Sequence, residues 1–441
     1  LLFRTSYRIE RVIIQGFLLV ILVGAFLLYL CNKYVYNIPI SLVDSLFLAT
    51  SGVCVTGLTT LNVATELGFL SQIILLLLVQ LGGLGFMTGM MFLAMAVGKR
   101  IGVRNRMSFL SGLGVEGLQG AVKLFRIIIY YTLFIELTGA LFLFWGFKLH
   151  GETLINSVYY AIFHSVSAFC NAGFSPIING MQVFSLSYFI PGVIMLLIIL
   201  GGIGFPVVAE CWQVFSKKKK LSYYSKIVIF ITITLVFTGA ILILISDWNN
   251  SLRDLPFLSR IWNALFASVT CRTAGFDTLA PARFSTLGRI VMIMLMVFGA
   301  SPSSTGGGIK TTTVGVLAIS VWNELHSRRE TTFMHKTIPH ITERRALALT
   351  VVYVMTFFIA AILLTFIEGL PFSDIIFESA SAMGTVGLTT GITAKFSAAG
   401  KIIFVLLMFW GRVGILTFFA SIVSRDKGPE VKYPDINILI G

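Results

Sequence analysis

Charge is scarce in this 441-residue chain: Asp, Glu, Lys and Arg together make up 12% of it, about half the share of a soluble domain. Cysteine is scarcer still. Cys31, Cys54, Cys170, Cys211 and Cys271 show neither CxxC nor zinc-ligand spacing, so they build no disulfide framework or zinc site and read as small buried hydrophobes. Five scattered histidines, His150, His164, His326, His335 and His340, form no HExxH pair. Gly306, Gly307 and Gly308 precede Ile309 and Lys310 without the spacing of a phosphate-binding loop. With no nucleophile motif either, the chain is not expected to be an enzyme or to bind a nucleotide. A cleavable leader is not evident: Arg4, Arg8 and Arg11 precede an apolar run over 12–30 that is long enough to span a bilayer and lacks a small-residue cleavage site. That run is expected to stay.

Apolar sequence is what the chain has in abundance, at 56% of residues, which marks a polytopic membrane protein. Long stretches cover 12–30, 70–97, 127–147, 188–209, 227–245, 288–322 with a break, 347–367 and 400–423. Each can cross about 30 Å of hydrocarbon at about 1.5 Å per residue. The net charge of +14 would suit nucleic acid, but its placement argues otherwise. Counted on alternate sides of the spans, 22 Lys and Arg fall on one side and eight on the other, with Arg272, Lys310 and Arg412 left at membrane depth. Such a bias is a topology signal and predicts both termini in the cytoplasm, with no nucleic-acid partner.

A short glycine signal recurs four times: Val55-Thr56-Gly57-Leu58, Asn171-Ala172-Gly173-Phe174, Thr273-Ala274-Gly275-Phe276 and Thr385-Val386-Gly387-Leu388. The glycines lie 116, 102 and 112 residues apart. An apolar segment too short to span precedes each, over 45–53, 157–169, 262–271 and 375–383. The order span, half-helix, glycine signal, span describes a re-entrant loop, which survives at membrane depth only inside protein or beside a water-filled cavity. Four copies predict an all-α membrane protein with eight transmembrane helices around one pore. The repeats are expected at 1–98, 99–216, 217–325 and 326–424, with a cytoplasmic tail over 425–441. Rings of backbone carbonyls replace the hydration shell of a monovalent cation without trapping it, and glycine lets the strands approach closely. Variation at the preceding positions is acceptable if the main chain meets the ion, and half-helix C-termini would add partial negative charge beneath.

Gly299 to Lys310 interrupts the sixth span. Its four glycines and Pro302 disfavour continuous helix by roughly 7 kcal/mol relative to alanine. Arg412, in the last span, has no acidic neighbour in sequence and needs a partner or water. The carbonyls of the broken stretch are that expected partner. Gly299, Ser303, Ser304, Thr305, Gly306, Gly307, Gly308, Lys310 and Arg412 thus form a candidate gate, with Arg412 and Lys310 adding a barrier to cations. Arg272 and Glu378 are rare charges near the third and fourth loops, expected to pair across adjacent units and support the filter. Glu136, inside the third span, reads as a hydrogen-bonded packing residue rather than a proton or sodium relay.

Segments 51–59 (SGVCVTGLT), 167–175 (SAFCNAGFS), 271–277 (CRTAGFD) and 381–389 (SAMGTVGLT) resemble the Trk/Ktr/HKT superfamily of potassium transporters, as do 80–88 (QLGGLGFMT), 303–311 (SSTGGGIKT) and 432–434 (KYP). The resemblance covers essentially the whole chain and looks most like the bacterial Ktr membrane subunit, of KtrB or KtrD type. It implies K⁺ as the transported ion and a glycine in each filter loop as the mark of K⁺ preference; a serine at the place of Gly57 goes with sodium-conducting plant relatives. It also implies a homodimer in a bacterial plasma membrane, resting on a cytosolic nucleotide-binding regulatory ring of KtrA or KtrC type that responds to ATP and ADP. The basic segments 99–126, 216–226 and 327–345 would contact that ring. A Na⁺- or H⁺-coupled symporter and a Na⁺-permeating relative are the alternatives. Pro302, and Ile415 where relatives often have proline, depart from the family pattern near the gate. The apolar tail residues Ile436, Ile438, Leu439 and Ile440 would suit a dimer contact.

Overall fold

The computed structural model describes residues 2–85, 121–217, 220–328 and 330–414. Within them one order of elements occurs four times: a long helix, a short helix, a glycine loop and a third helix. The first unit has α1 (Leu2–Leu30), α2 (Leu42–Val53) and α3 (Phe69–Gly83); the second α4 (Ala121–Leu149), α5 (Leu154–Phe169) and α6 (Phe189–Gly202), followed by α7 (Phe205–Lys217). The third has α8 (Tyr223–Asp247), α9 (Phe257–Thr270) and α10 (Thr286–Val297), followed by α11 (Thr311–Leu325). The fourth has α12 (His340–Glu368), α13 (Phe372–Gly384) and α14 (Ala398–Val413).

Burial is arranged for lipid. The long helices expose large apolar side chains, among them Leu22 and Phe26 of α1, Phe134 and Leu141 of α4, Phe230 and Phe237 of α8, and Ile359 and Phe366 of α12. A soluble monomer does not carry so continuous an apolar surface. The short helices fill the interior instead: Phe47, Phe163, Phe266 and Phe377 are each at most 1% exposed. Among the described residues, stretches of α1, α4, α8 and α12 are each long and apolar enough to cross a membrane.

Polar contacts close the ring. At the end of each long helix a side chain holds the start of the third helix, where backbone N–H groups have no helical acceptor. Gly68 N donates to Asn32 Oδ1 (3.0 Å), Ser285 N to Asp247 Oδ1 (2.8 Å) and Ser397 N to Glu368 Oε2 (3.0 Å), while His150 Nε2 meets Ser187 Oγ at 3.3 Å. Each third helix then packs on the short helix of the next unit, α3 on α5, α6 on α9, α10 on α13 and α14 back on α2. Every seam carries a polar clasp: Tyr159 to Gln72, Tyr188 to Ser259 (2.8 Å), Arg289 to Asp374 (2.9 Å) and Lys401 to Asp44 (2.7 Å).

The structure moves several expected boundaries. The short helices begin three to five residues before their first expected position, because Ser41 and Thr153 cap α2 and α5 through side-chain acceptors and Pro256 and Pro371 precede α9 and α13. The fourth expected span, 188–209, is not continuous: α6 and α7 meet at 96°. The carbonyls of Gly201 and Gly202, which would continue the helix, accept instead from Thr305 N (3.3 Å) and Ser301 N (3.1 Å). Gly204, at φ 96°, takes the bend. A small antiparallel hairpin, Thr332–Phe333 with Lys336–Thr337, lies in the basic segment before α12 and was not expected. Expected spans beyond residue 85 and beyond residue 414, Ile415 and the tail lie outside the described residues.

Candidate functional site

Each short helix ends in the same backbone path. Val55 (φ 56°), Asn171 (59°), Thr273 (72°) and Thr385 (51°) are left-handed, and two residues later Gly57 (92°), Gly173 (70°), Gly275 (78°) and Gly387 (96°) are left-handed again. The residue between keeps a negative φ. Alternation of this kind turns successive peptide planes the same way, so a loop presents a row of like groups on one side. The amides face back into the short helix: Thr56 N, Ala172 N, Ala274 N and Val386 N donate to Ser51 O (2.8 Å), Ser167 O (2.7 Å), Thr270 O (2.9 Å) and Ser381 O (2.8 Å). The same four residues use their hydroxyls. Ser51 and Ser381 accept from Gly57 N and Gly387 N (both 3.0 Å), and Ser167 and Thr270 donate to Phe174 O (3.0 Å) and Phe276 O (2.6 Å).

The four loops meet. A side-chain carbon at Gly57 would run into Ala172 O, one at Gly173 into Ala274 O, one at Gly275 into Val386 O and one at Gly387 into Thr56 O, all inside 3.0 Å. The contacts close a ring through the four units. Among the described residues, no donor reaches the carbonyl oxygens of Val55, Thr56, Gly57, Asn171, Ala172, Gly173, Thr273, Ala274, Gly275, Thr385, Val386 or Gly387. Interior carbonyls nearly always have a partner. Twelve carbonyl oxygens on four adjoining loops are thus without a donor among the described residues, and uncharged oxygens of this kind are able to serve as cation ligands.

The segment after α10 is packed against one end of this ring. Gly307 N donates to Thr385 Oγ1 (3.0 Å), and a side chain at Gly306 would strike Thr273 Oγ1. Thr305 Oγ1 donates to Phe169 O (3.2 Å), and Ala300 N donates to Gly307 O (3.2 Å), folding residues 299–308 back on themselves. Ser304 Oγ donates to Ser301 O (2.6 Å), and Ser303 O accepts from Phe205 N (3.0 Å). Gly299 and Gly308 pack against each other at distances that leave no room for a side chain. Arg412, from α14, donates to Thr305 O and to Gly82 O, with Gly83 O at 3.3 Å. One guanidinium thus joins the segment to the end of α3. Lys310 Nζ stays within the segment, donating to Gly306 O (2.7 Å) and Gly307 O (3.5 Å).

Arg272 and Glu378 do not meet. Glu378 accepts from Thr389 Oγ1 (2.5 Å), Thr390 N (2.8 Å) and Thr393 Oγ1 (2.9 Å), all in the segment leaving its own loop. Arg272 makes one long hydrogen bond, to Thr232 O (3.5 Å), and its Nε has no acceptor among the described residues. Sequence reasoning paired them because both are rare charges, but side-chain direction separates them. Glu136 accepts from Gln80 Nε2 (3.2 Å), and its backbone carbonyl accepts from Ser165 Oγ (2.6 Å), which fits a packing role. Four of the five cysteines are buried and Cys211 is half-buried. His164 was missed as a site residue: its ring touches Tyr160 O (2.7 Å) and Ser175 Oγ (2.9 Å), just outside the second loop. Its spacing from Gly173, equal to that of Glu378 from Gly387, was a signal that could have found it.

The chain matches the TrkH family, described as a cation transport protein, over residues 10–428. It is 35% identical to the Ktr system potassium uptake protein B of Bacillus subtilis, over 98% of this chain and 96% of that one. It is also 35% identical to the potassium/sodium uptake protein NtpJ of Enterococcus hirae, over 98% and 97%. The fold is similar to the crystal structure of the potassium transporter TrkH from Vibrio parahaemolyticus, with a TM-score of 0.70 and 21% identity over 92% of this chain and 84% of that one.

Proposed function

The chain belongs to the TrkH family of cation transport proteins, and on that premise we propose that it is the ion-conducting membrane subunit of a Ktr-type potassium uptake system. Its four units, 1–98, 99–216, 217–325 and 326–424, surround one pore, and the twelve loop carbonyls are its selectivity filter. The single observation that carries this reading is that those carbonyls lack donors among the described residues, while ten of the twelve amides of the same residues donate back into their short helices. Such a row replaces the water shell of K⁺ with oxygens of no formal charge. Entry is drawn by a negative interior worth about 2.3 kcal/mol per charge per 100 mV.

Residues 299–310, with Arg412, are the gate: they lie against Thr273 and Thr385 at one end of the filter and are clamped to α3. Arg272 and Glu378 support the filter separately, Glu378 by fastening the outgoing segment of the fourth loop. Both termini are cytoplasmic, the chain is a homodimer in the plasma membrane, and a cytosolic nucleotide-binding ring acts on the gate from the side of the basic segments. The name of the Ktr relative, a system, favours such a second component. A second reading, uptake of Na⁺ as well as K⁺, is favoured by the potassium/sodium uptake relative.

The deciding experiment is rubidium uptake into vesicles holding the purified chain, with and without Na⁺ and with Na⁺ uptake measured in parallel. Rubidium uptake that K⁺ blocks and Na⁺ does not is expected. Uptake of Na⁺ at a matching rate would replace the first reading with the second, and no cation uptake would overturn both.

A further inference from the structure

The four filter loops share their inner bracing but not the bracing behind their outer ends. Nine residues before each loop glycine stand Leu48, His164, Phe266 and Glu378, all at most 1% exposed. Two are apolar and two can bond. His164 Nε2 lies 2.9 Å from Ser175 Oγ, and Glu378 accepts from Thr389 Oγ1 at 2.5 Å; Ser175 and Thr389 are each two residues past their glycine.

The proton placement at His164 follows from its partners. A carbonyl has no hydrogen to give, so Nδ1, 2.7 Å from Tyr160 O, carries the proton. Nε2 of the neutral ring is then the acceptor and Ser175 donates to it, while Ser175 Oγ accepts from Ile177 N (3.1 Å). The ring therefore ties the second loop's outgoing strand to α5 through one hydroxyl. At Glu378 the tie is denser: Thr390 N (2.8 Å) and Thr393 Oγ1 (2.9 Å) also donate to it, and Gly391 N donates to Thr389 Oγ1 (2.8 Å). The first loop is fastened one residue farther out, Thr60 donating to Asp44 (2.7 Å), and the third at the same position but from the neighbouring unit, Gln182 donating to Asp277 (2.6 Å); in both, the residue nine before the glycine, Leu48 or Phe266, only packs.

We propose that His164 and Glu378 are positioning residues for ion selection, two struts in alternate units that hold the outer ends of the second and fourth loops at the spacing K⁺ requires. The proposal rests on the filter reading above and adds to it a twofold element within a fourfold ring. A smaller ion needs the carbonyls to draw inward, and the struts oppose that movement through the residue two positions from each glycine. Leucine at either position removes the tie while keeping an apolar filler. Glutamine keeps an acceptor within reach of Ser175 or Thr389.

The test measures rubidium and sodium uptake by reconstituted His164→Leu, His164→Gln, Glu378→Leu and Glu378→Gln chains, with Phe266→Leu as a control at the corresponding position of a unit whose short helix offers no bonding side chain there. The leucine variants are expected to raise the ratio of sodium to rubidium uptake about tenfold, the loss of one well-formed buried hydrogen bond. Glutamine restores most of the discrimination, and Phe266→Leu leaves it unchanged. Leucine variants that keep the wild-type ratio would overturn the proposal, as would glutamine variants that lose as much as leucine. Should a leucine variant fail to accumulate in the membrane, His164→Ala and Glu378→Ala are read against the same ratio and by the same criterion. Failure of the underlying reading is seen separately, as a wild-type chain that does not discriminate.

Discussion

Val55, Thr273 and Thr385 are β-branched residues in left-handed backbone, a state such side chains avoid at a cost of order 1–3 kcal/mol each. The surrounding hydrogen bonds to Ser51, Thr270 and Ser381 hold them there. The glycines carry a different constraint, since a side chain would strike the neighbouring loop as well as strain the backbone. Gly57→Ser and Gly387→Ser are therefore expected to lower K⁺ over Na⁺ selection by tenfold or more, about 1.4 kcal/mol per decade, in competition between rubidium and sodium for uptake. Unchanged selection would remove these loops from the filter. Arg412 acts across the chain: Arg412→Gln gives up the charge and most of the fork that joins Thr305 to Gly82. A higher rubidium flux through the chain alone, which the proposed cytosolic partner no longer raises further, is the expected outcome; wild-type flux with unchanged dependence would argue that the clamp is not part of the gate.

At the scale of elements, the bend between α6 and α7 and the segment 299–310 form one construction. Thr305 N and Ser301 N take the carbonyls of Gly201 and Gly202, and Phe205 N, at the start of α7, donates to Ser303 O (3.0 Å). Neither element would hold its shape alone. Gly204 is the joint, at φ 96° with Pro302 O 2.7 Å from where a side-chain carbon would sit. Gly204→Ala is expected to cost about 1–3 kcal/mol, visible as a lowered midpoint of thermal unfolding in detergent. A midpoint equal to wild type would mean that the bend relaxes without disturbing the segment.

For the whole molecule, stability depends on closing a ring from four units that are far apart in the chain. Lys401 to Asp44 joins the last unit to the first, and Arg289 to Asp374 occupies the corresponding seam between the third and fourth. Lys401 and Asp44 are each 15% exposed at the side chain, so a lone partner left by mutation is poorly hydrated. A cycle of Asp44→Ala, Lys401→Ala and the double variant should therefore show a coupling of about 1–3 kcal/mol in thermal inactivation. Additive single losses would mean that apolar packing of α14 on α2 closes the ring without the ion pair.

Membrane class, the fourfold recurrence, the short helices before each glycine and the break after α10 were legible in the sequence. Each is set by a property of a contiguous stretch: hydropathy over twenty residues, the left-handed backbone glycine allows, or glycine and proline in a helix. The partner expected for Arg412 was also legible in kind, because a guanidinium among apolar residues needs carbonyls. Which carbonyls was decided only in three dimensions, since Gly82 lies 330 positions earlier in the chain. The false pairing of Arg272 with Glu378 has the same origin: their identities are in the sequence, but Glu378 is occupied by threonines of its own loop and Arg272 turns toward Thr232. The α6–α7 bend, the seam clasps and the contact of His164 with Ser175 likewise arise from packing. Local backbone preference is written residue by residue, whereas the direction a buried side chain takes is fixed by whichever neighbour the closed ring brings within bonding distance.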